Sequence, residues 1–219
     1  MKINLVILDR EKYIKAKTYI KNKNFNIVLG NLLEQKGDLV TAGNSFGFMD
    51  GGLDLEFIKK YGWKLQEKVQ KLIKNRPLKE LLVGENIIVD LEENKKLIYA
   101  PTMRIPSILE DNNINIYLAF KGILVTCKSL NIKKINIKEI NIKEINIKEI
   151  NIKEINIKEI NIPLLGEGVG QMSIHIIIKQ MEQAYMDLVE DYYPENWWES
   201  SKMHQLLYTE IDKIKDLQY

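Results

Sequence analysis

Cysteine is almost absent from this 219-residue chain, and the single residue, Cys127, excludes an intramolecular disulfide. Histidine is nearly as scarce, at two residues, and no Cys/His cluster has metal-ligand spacing. No metal and no resident cofactor are therefore expected. Charge of one sign is also missing: 32 basic residues oppose 30 acidic ones, a formal net charge of +2. That balance gives no global basic footprint for nucleic acid. Long apolar runs are lacking too, since none approaches the roughly eighteen residues a membrane span needs. The first fifteen residues, MKINLVILDREKYIK, turn charged after one short apolar run and carry no signal-peptide cleavage site. A soluble, cytoplasmic protein is the expectation. Against these absences, 45% hydrophobic and 28% charged residues make an ordinary globular balance, and the length suits one domain.

Short Val- and Ile-rich runs alternate with longer segments of helical spacing. Strands are expected at Lys2 to Leu8, Phe25 to Leu29, Leu39 to Ala42, Asn86 to Leu91, Lys96 to Pro101 and Ile160 to Leu164. Helices are expected at Arg10 to Lys21, Leu55 to Ile73, Tyr117 to Leu130 and Ser173 to Glu190, with a C-terminal helical extension over 192–219. Strands separated by helices imply crossover connections and a largely parallel sheet, with mixed pairing at its edges. The fold class is α/β. Cys127 falls in the apolar helical run and reads as a buried, inert thiol.

One segment departs from this pattern. From Ile135 to Glu159 the pentapeptide INIKE occurs five times in tandem, preceded by a degenerate copy at Leu130 to Lys134. On a helix each copy rotates the isoleucines by about 140°, so no face stays apolar. On a strand an odd period swaps faces at every copy. Three readings fit: a repeat expansion inserted before a core strand, with Ile160-Asn161-Ile162 as that strand; a pentapeptide β-helix; or an arm for self-association.

The densest chemical signal is Gly43-Asn44-Ser45-Phe46-Gly47-Phe48-Met49-Asp50-Gly51-Gly52-Leu53-Asp54. It follows a strand and runs into a helix. Its glycines let a ligand approach the backbone closely, and the amides opening the next helix favour an anion. A second such loop, Gly166-Glu167-Gly168-Val169-Gly170, has the same strand-to-helix setting. Parallel sheets carry ligands at the carboxyl ends of their strands. Two glycine loops there point to a ligand with phosphate or ribose groups at two places.

Gly30-Asn31-Leu32, the Asn44 strand end, the Gly51-Gly52-Leu53-Asp54 turn and the Gly166 to Gly170 loop stand in the order found in macro domains. Gly62 also lies eight residues after Asp54, as the family's helix glycine does. The sequence thus resembles the macro domain family over most of Phe25 to Tyr185. The resemblance implies a three-layer fold with a mixed, mostly parallel sheet, and a site for ADP-ribose or a derivative. It implies that Asn44 holds the distal ribose and that Gly51, Gly52 and Asp54 line that ribose and its reactive carbon. Gly166, Gly168, Val169 and Gly170 would give amides to the diphosphate. Asn31 stands where the family has an adenine-reading aspartate, and its amide oxygen can still accept from the adenine amino group. Ile58 replaces a histidine found in some members, and Val169 replaces a frequent aromatic residue.

Two uses of that site follow. In the first, Asp54 or Asp50 orients or deprotonates a water, and the protein hydrolyses ADP-ribose 1''-phosphate or ADP-ribosyl esters. In the second it is a non-catalytic reader of free or protein-linked ADP-ribose. A different class of function, an interaction protein assembling through the repeat, rests on INIKE alone. Structural alternatives accompany the site residues: Asp54 as a helix cap, Asp50 as a turn former, and Arg104 as a surface residue rather than a phosphate ligand.

Overall fold

The computed structural model describes residues 2–139, 159–190 and 193–216. Six strands form one sheet: β1 (Lys2–Ile7), β2 (Phe25–Leu29), β3 (Asp38–Asn44), β4 (Ile87–Asp90), β5 (Lys96–Met103) and β6 (Glu159–Ile162). Their order across the sheet is β2-β1-β6-β3-β5-β4. Every pairing is parallel except β4 with β5, which run antiparallel at the edge across the charged turn Glu92 to Lys95. The mixed, mostly parallel α/β sheet expected from the sequence is the one observed.

Helices cover both faces, giving three layers. Alternation along the strands decides which residue faces which layer. Leu5, Val40 and Ile98 join the cluster under α1 (Arg10–Tyr19), α4 (Asn115–Glu139) and α5 (Ile174–Glu190). Their neighbours Val6, Leu39 and Leu97 turn to α2 (Gly52–Tyr61) and α3 (Lys64–Lys74). Cys127 lies fully buried in the first cluster, and burial pushes its thiol up to about 12, so it is inert.

Several boundaries differ from the sequence reading, the largest being the C-terminal end of α4, at Glu139 rather than Leu130. The single helix expected from Leu55 to Ile73 is two helices, because Gly62 adopts φ +78° and ends α2. The first of them starts three residues early, at Gly52 rather than Leu55. A short 3-10 turn at Leu32–Glu34, capped by Asn31, was not foreseen. Near the C-terminus α6 (Trp197–Gln205) begins at the N-cap Asn196.

The repeat meets the fold at both ends. Its first copy continues α4 to Glu139, and its last residue opens β6. Residues 140–158, and with them the choice among the three readings of the repeat, lie outside the described residues. Between β1 and β3, β6 is held by more than backbone pairing. The Asn161 amide donates to the carbonyls of Lys36, at 2.7 Å, and Asp38, at 3.1 Å, while its side-chain oxygen accepts from Asn4 at 2.9 Å. A buried asparagine in a central strand is tolerated because these bonds satisfy it.

Candidate functional site

The carboxyl ends of β1, β2, β3, β5 and β6 open into one cleft of about 840 Å³. All ten residues singled out from the sequence line it: Asn31, Asn44, Asp50, Gly51, Gly52, Asp54, Gly166, Gly168, Val169 and Gly170. They come from four separate stretches of chain. The size lies within the range usual for small-molecule sites.

The first glycine loop is built on Asn44. A register shift between Gly43 and Asn44 in the β3–β5 pairing marks a bulge that re-aims the end of β3. Tyr99 of β5 fixes that end: its hydroxyl donates to the Asn44 carbonyl at 3.0 Å and accepts from the Asn44 amide at 2.9 Å. Gly43 makes room for the ring, since a Cβ there would stand 2.1 Å from Tyr99 Cζ. Burial drives the Tyr99 hydroxyl far above its ordinary value, with the nearby Asp54 carboxyl adding to it, so it stays protonated. The Asn44 side chain then closes the loop. Its oxygen accepts from the amides of Phe46 at 3.1 Å and Phe48 at 3.3 Å, and its amide donates to the Phe48 carbonyl at 2.8 Å. Asn44 thus shapes the loop it belongs to as well as lining the cleft.

Gly51 and Gly52 present bare backbone. A Cβ on either meets no atom within 4 Å, and Gly52 has φ +53°, so the space beside them is open cleft. Gly51 is the N-cap of α2 and offers no side-chain cap, which leaves the first amides of the helix, Gly52 to Asp54, without partners inside it. Asp54 therefore sits inside the first turn and does not cap it. Its carboxylate accepts instead from the Thr41 hydroxyl of β3 at 2.5 Å. Burial raises the Asp54 carboxyl to about 7, against the lowering effect of the Thr41 bond and with a smaller upward push from Asp50. Asp50 itself is exposed at the rim, just before Gly51.

In the second glycine loop the glycines divide by task. Gly166, at φ +77°, and Gly170 are packed tightly: a Cβ on them would lie 2.5 Å from Ile116 Cδ1 and 2.4 Å from the Gly166 carbonyl oxygen. Gly168 faces open space. The amides of Gly168, Val169 and Gly170, three residues that line the cleft, donate to no protein acceptor among the described residues. Asn31 caps the 3-10 turn, accepting from the Leu33 amide at 3.0 Å, and its amide donates to Glu34 at 3.2 Å.

Arg104, considered from the sequence as a phosphate ligand, is turned away from the cleft. Its guanidinium pairs with Glu80 at 2.9 Å and stacks on the Phe46 ring, 5.0 Å from the centroid. Sequence reasoning missed the cleft's contribution from the N-terminal unit, Leu8 to Arg10 and Lys12. The only signal there was the capping pattern of Asp9, which accepts from the Lys12 amide at 2.8 Å. Among the described residues no cluster of His, Cys, Asp and Glu is arranged to hold a metal, and no helix is long and apolar enough to cross a membrane.

A family model described as Macro domain matches residues 40–181, more than half of the chain. Among solved structures, an Oceanobacillus iheyensis macrodomain with MES bound is similar at a TM-score of 0.51 and 16% identity, covering 74% of this chain and 75% of that one. The macrodomain of Mycobacterium tuberculosis DarG is similar at a TM-score of 0.49 and 21% identity, covering 73% of this chain and 88% of that one. Thermosipho africanus DarTG in complex with ADP-ribose gives a TM-score of 0.46 and 15% identity, covering 85% and 50%. No curated protein matches the sequence.

Proposed function

The chain belongs to the macro domain family, and from that premise we propose that its cleft binds ADP-ribose or a derivative and hydrolyses ADP-ribose 1''-phosphate or ADP-ribosyl esters. One observation carries the reading: two glycine loops far apart in sequence, Gly43 to Asp54 and Gly166 to Gly170, bring bare backbone and unspent amides to the lining of one cleft. In this reading the amides of Gly168, Val169 and Gly170 take the diphosphate, and Gly51 and Gly52 let the distal ribose lie against the backbone. Asn31 accepts from the adenine amino group.

For hydrolysis, Asp54 is the favoured base. Its carboxyl at about 7 is matched to taking a proton from water near neutral pH, and Thr41 fixes its orientation. Asp50, exposed and next to the uncapped start of α2, orients the water from the rim. The water attacks the substituent on the distal ribose, and the products are ADP-ribose and phosphate or the freed acid. A second reading, a non-catalytic ADP-ribose reader, is favoured by Ile58. This residue occupies the position of the histidine found in some members and is buried in the apolar core of α2. Turnover of ADP-ribose 1''-phosphate by the purified chain, with Asp54→Asn as control, separates the two. Phosphate release that the variant loses supports the enzyme. Binding of ADP-ribose without any release leaves the reader.

A further inference from the structure

The one acidic side chain in the second glycine loop stands in an awkward place. Glu167 lies directly before the three unspent amides of Gly168 to Gly170, in the cleft where an anionic ligand would sit. Left alone, a carboxylate there would repel the ligand's phosphates, or fold onto its own loop's amides and occupy them. It is not left alone. Lys12, on the first turn of α1, crosses the cleft wall and pairs with the Glu167 carboxylate. Both side chains are partly withdrawn from water, at 42% and 27% exposure, so the pair is screened less than a surface one. Asp9 holds the start of α1 in place by accepting from the Lys12 amide, which aims the lysine at the loop.

Lys12 comes from a part of the chain outside the family match over residues 40–181. The strand that leads into its helix, β1, is nevertheless central, paired to β2 on one side and to β6 on the other. The N-terminal β1–α1 unit therefore completes the cleft rather than decorating it. We propose that Lys12 is a positioning residue for the anion-binding loop. It draws the Glu167 carboxylate toward α1 and neutralises it, which keeps the loop amides open to a diphosphate. The inference rests on the reading of the cleft as an ADP-ribose site.

Three variants test it by calorimetric titration with ADP-ribose, with thermal melts confirming that each is folded. Lys12→Met should weaken binding about tenfold, because an uncompensated carboxylate then faces the phosphates. Glu167→Gln should bind at least as well as the wild type. The double variant Lys12→Met/Glu167→Gln should regain the affinity of Glu167→Gln alone, a rescue that a merely structural ion pair does not give. If the double variant binds as weakly as Lys12→Met, the lysine acts on the ligand itself and the inference is overturned. Equal affinity for the wild type and Lys12→Met overturns it as well. Absence of binding by the wild-type chain would instead remove the ADP-ribose reading, and this inference with it.

Discussion

Replacing Asp54 by asparagine should make the protein more stable in alkaline solution while leaving it little changed in acid. The carboxyl is moved by burial from 3.8 to about 7. Between those values the folded state holds a proton that the unfolded chain has released, so stability falls as pH rises through the window. The benefit is fully present below 3.8 and is lost once pH passes about 7. From about pH 5 to about pH 8.5 the loss amounts to about 3 kcal/mol, at 1.36 kcal/mol for each pH unit crossed below the folded value. Asparagine has nearly the same shape and keeps an oxygen to accept from Thr41, yet it never ionises. Every other titrating group is common to both proteins, so the difference between two stability–pH curves isolates Asp54. Urea unfolding at several pH values provides those curves. Asp54→Asn should gain on the wild type by about 3 kcal/mol over that range. Parallel curves would show that the carboxyl is solvated in the folded state, and the account of a base tuned by burial would fail.

Other positions carry independent expectations. Gly43→Ala should lower stability by about 1–3 kcal/mol, since its Cβ would overlap the buried Tyr99 ring at 2.1 Å; thermal melts check this. Tyr99→Phe should cost about 1–3 kcal/mol by removing the acceptor of the buried Asn44 amide and leaving the Asn44 carbonyl only its 3.4 Å bond from the Gly47 amide. Binding should weaken with it, because the loop closed by Asn44 loses its anchor. Deleting Ile145 to Glu154, two whole INIKE copies, keeps the Glu159-Ile160-Asn161-Ile162 strand and its lead-in unchanged. If the repeat is an inserted expansion, size exclusion should be unaltered and stability should shift by no more than about 0.6 kcal/mol. Loss of an oligomer or of folded protein would favour the arm or β-helix reading.

Much of the architecture was legible because it rests on local patterns. Four- to seven-residue apolar runs separated by helical spacing marked the strands and helices of a mostly parallel sheet. The glycine spacing around Gly51, Gly52, Gly166 and Gly170 marked two loops whose backbone lines the cleft. The exceptions share a physical cause. Leu55 to Ile73 keeps its apolar period through Gly62, so nothing in the spacing reveals that the glycine's positive φ splits the helix. Thr41 and Tyr99 sit in apolar strands, where a hydroxyl aimed at Asp54 or Asn44 leaves no mark in sequence. Lys12 and Glu167 are 155 residues apart and meet only because β1 is placed beside β6. Asn44 was legible as a candidate, and it lines the cleft, but its hydrogen bonds to the Phe46 and Phe48 backbone depend on the bulge at the end of β3.

The central claim is that the bare backbone at Gly52, facing open cleft, is where ADP-ribose lies. Calorimetric titration of the wild-type chain and Gly52→Val with ADP-ribose tests it most directly. The wild type should show saturable binding at one site. The valine variant should show none, because its side chain fills the open space beside the α2 N-terminus. At φ +53° that valine also costs about 1–2 kcal/mol of backbone strain, so a melt must confirm that the variant is folded. A folded Gly52→Val protein that binds ADP-ribose as tightly as the wild type, or a wild type that does not bind at millimolar ligand, would contradict the account.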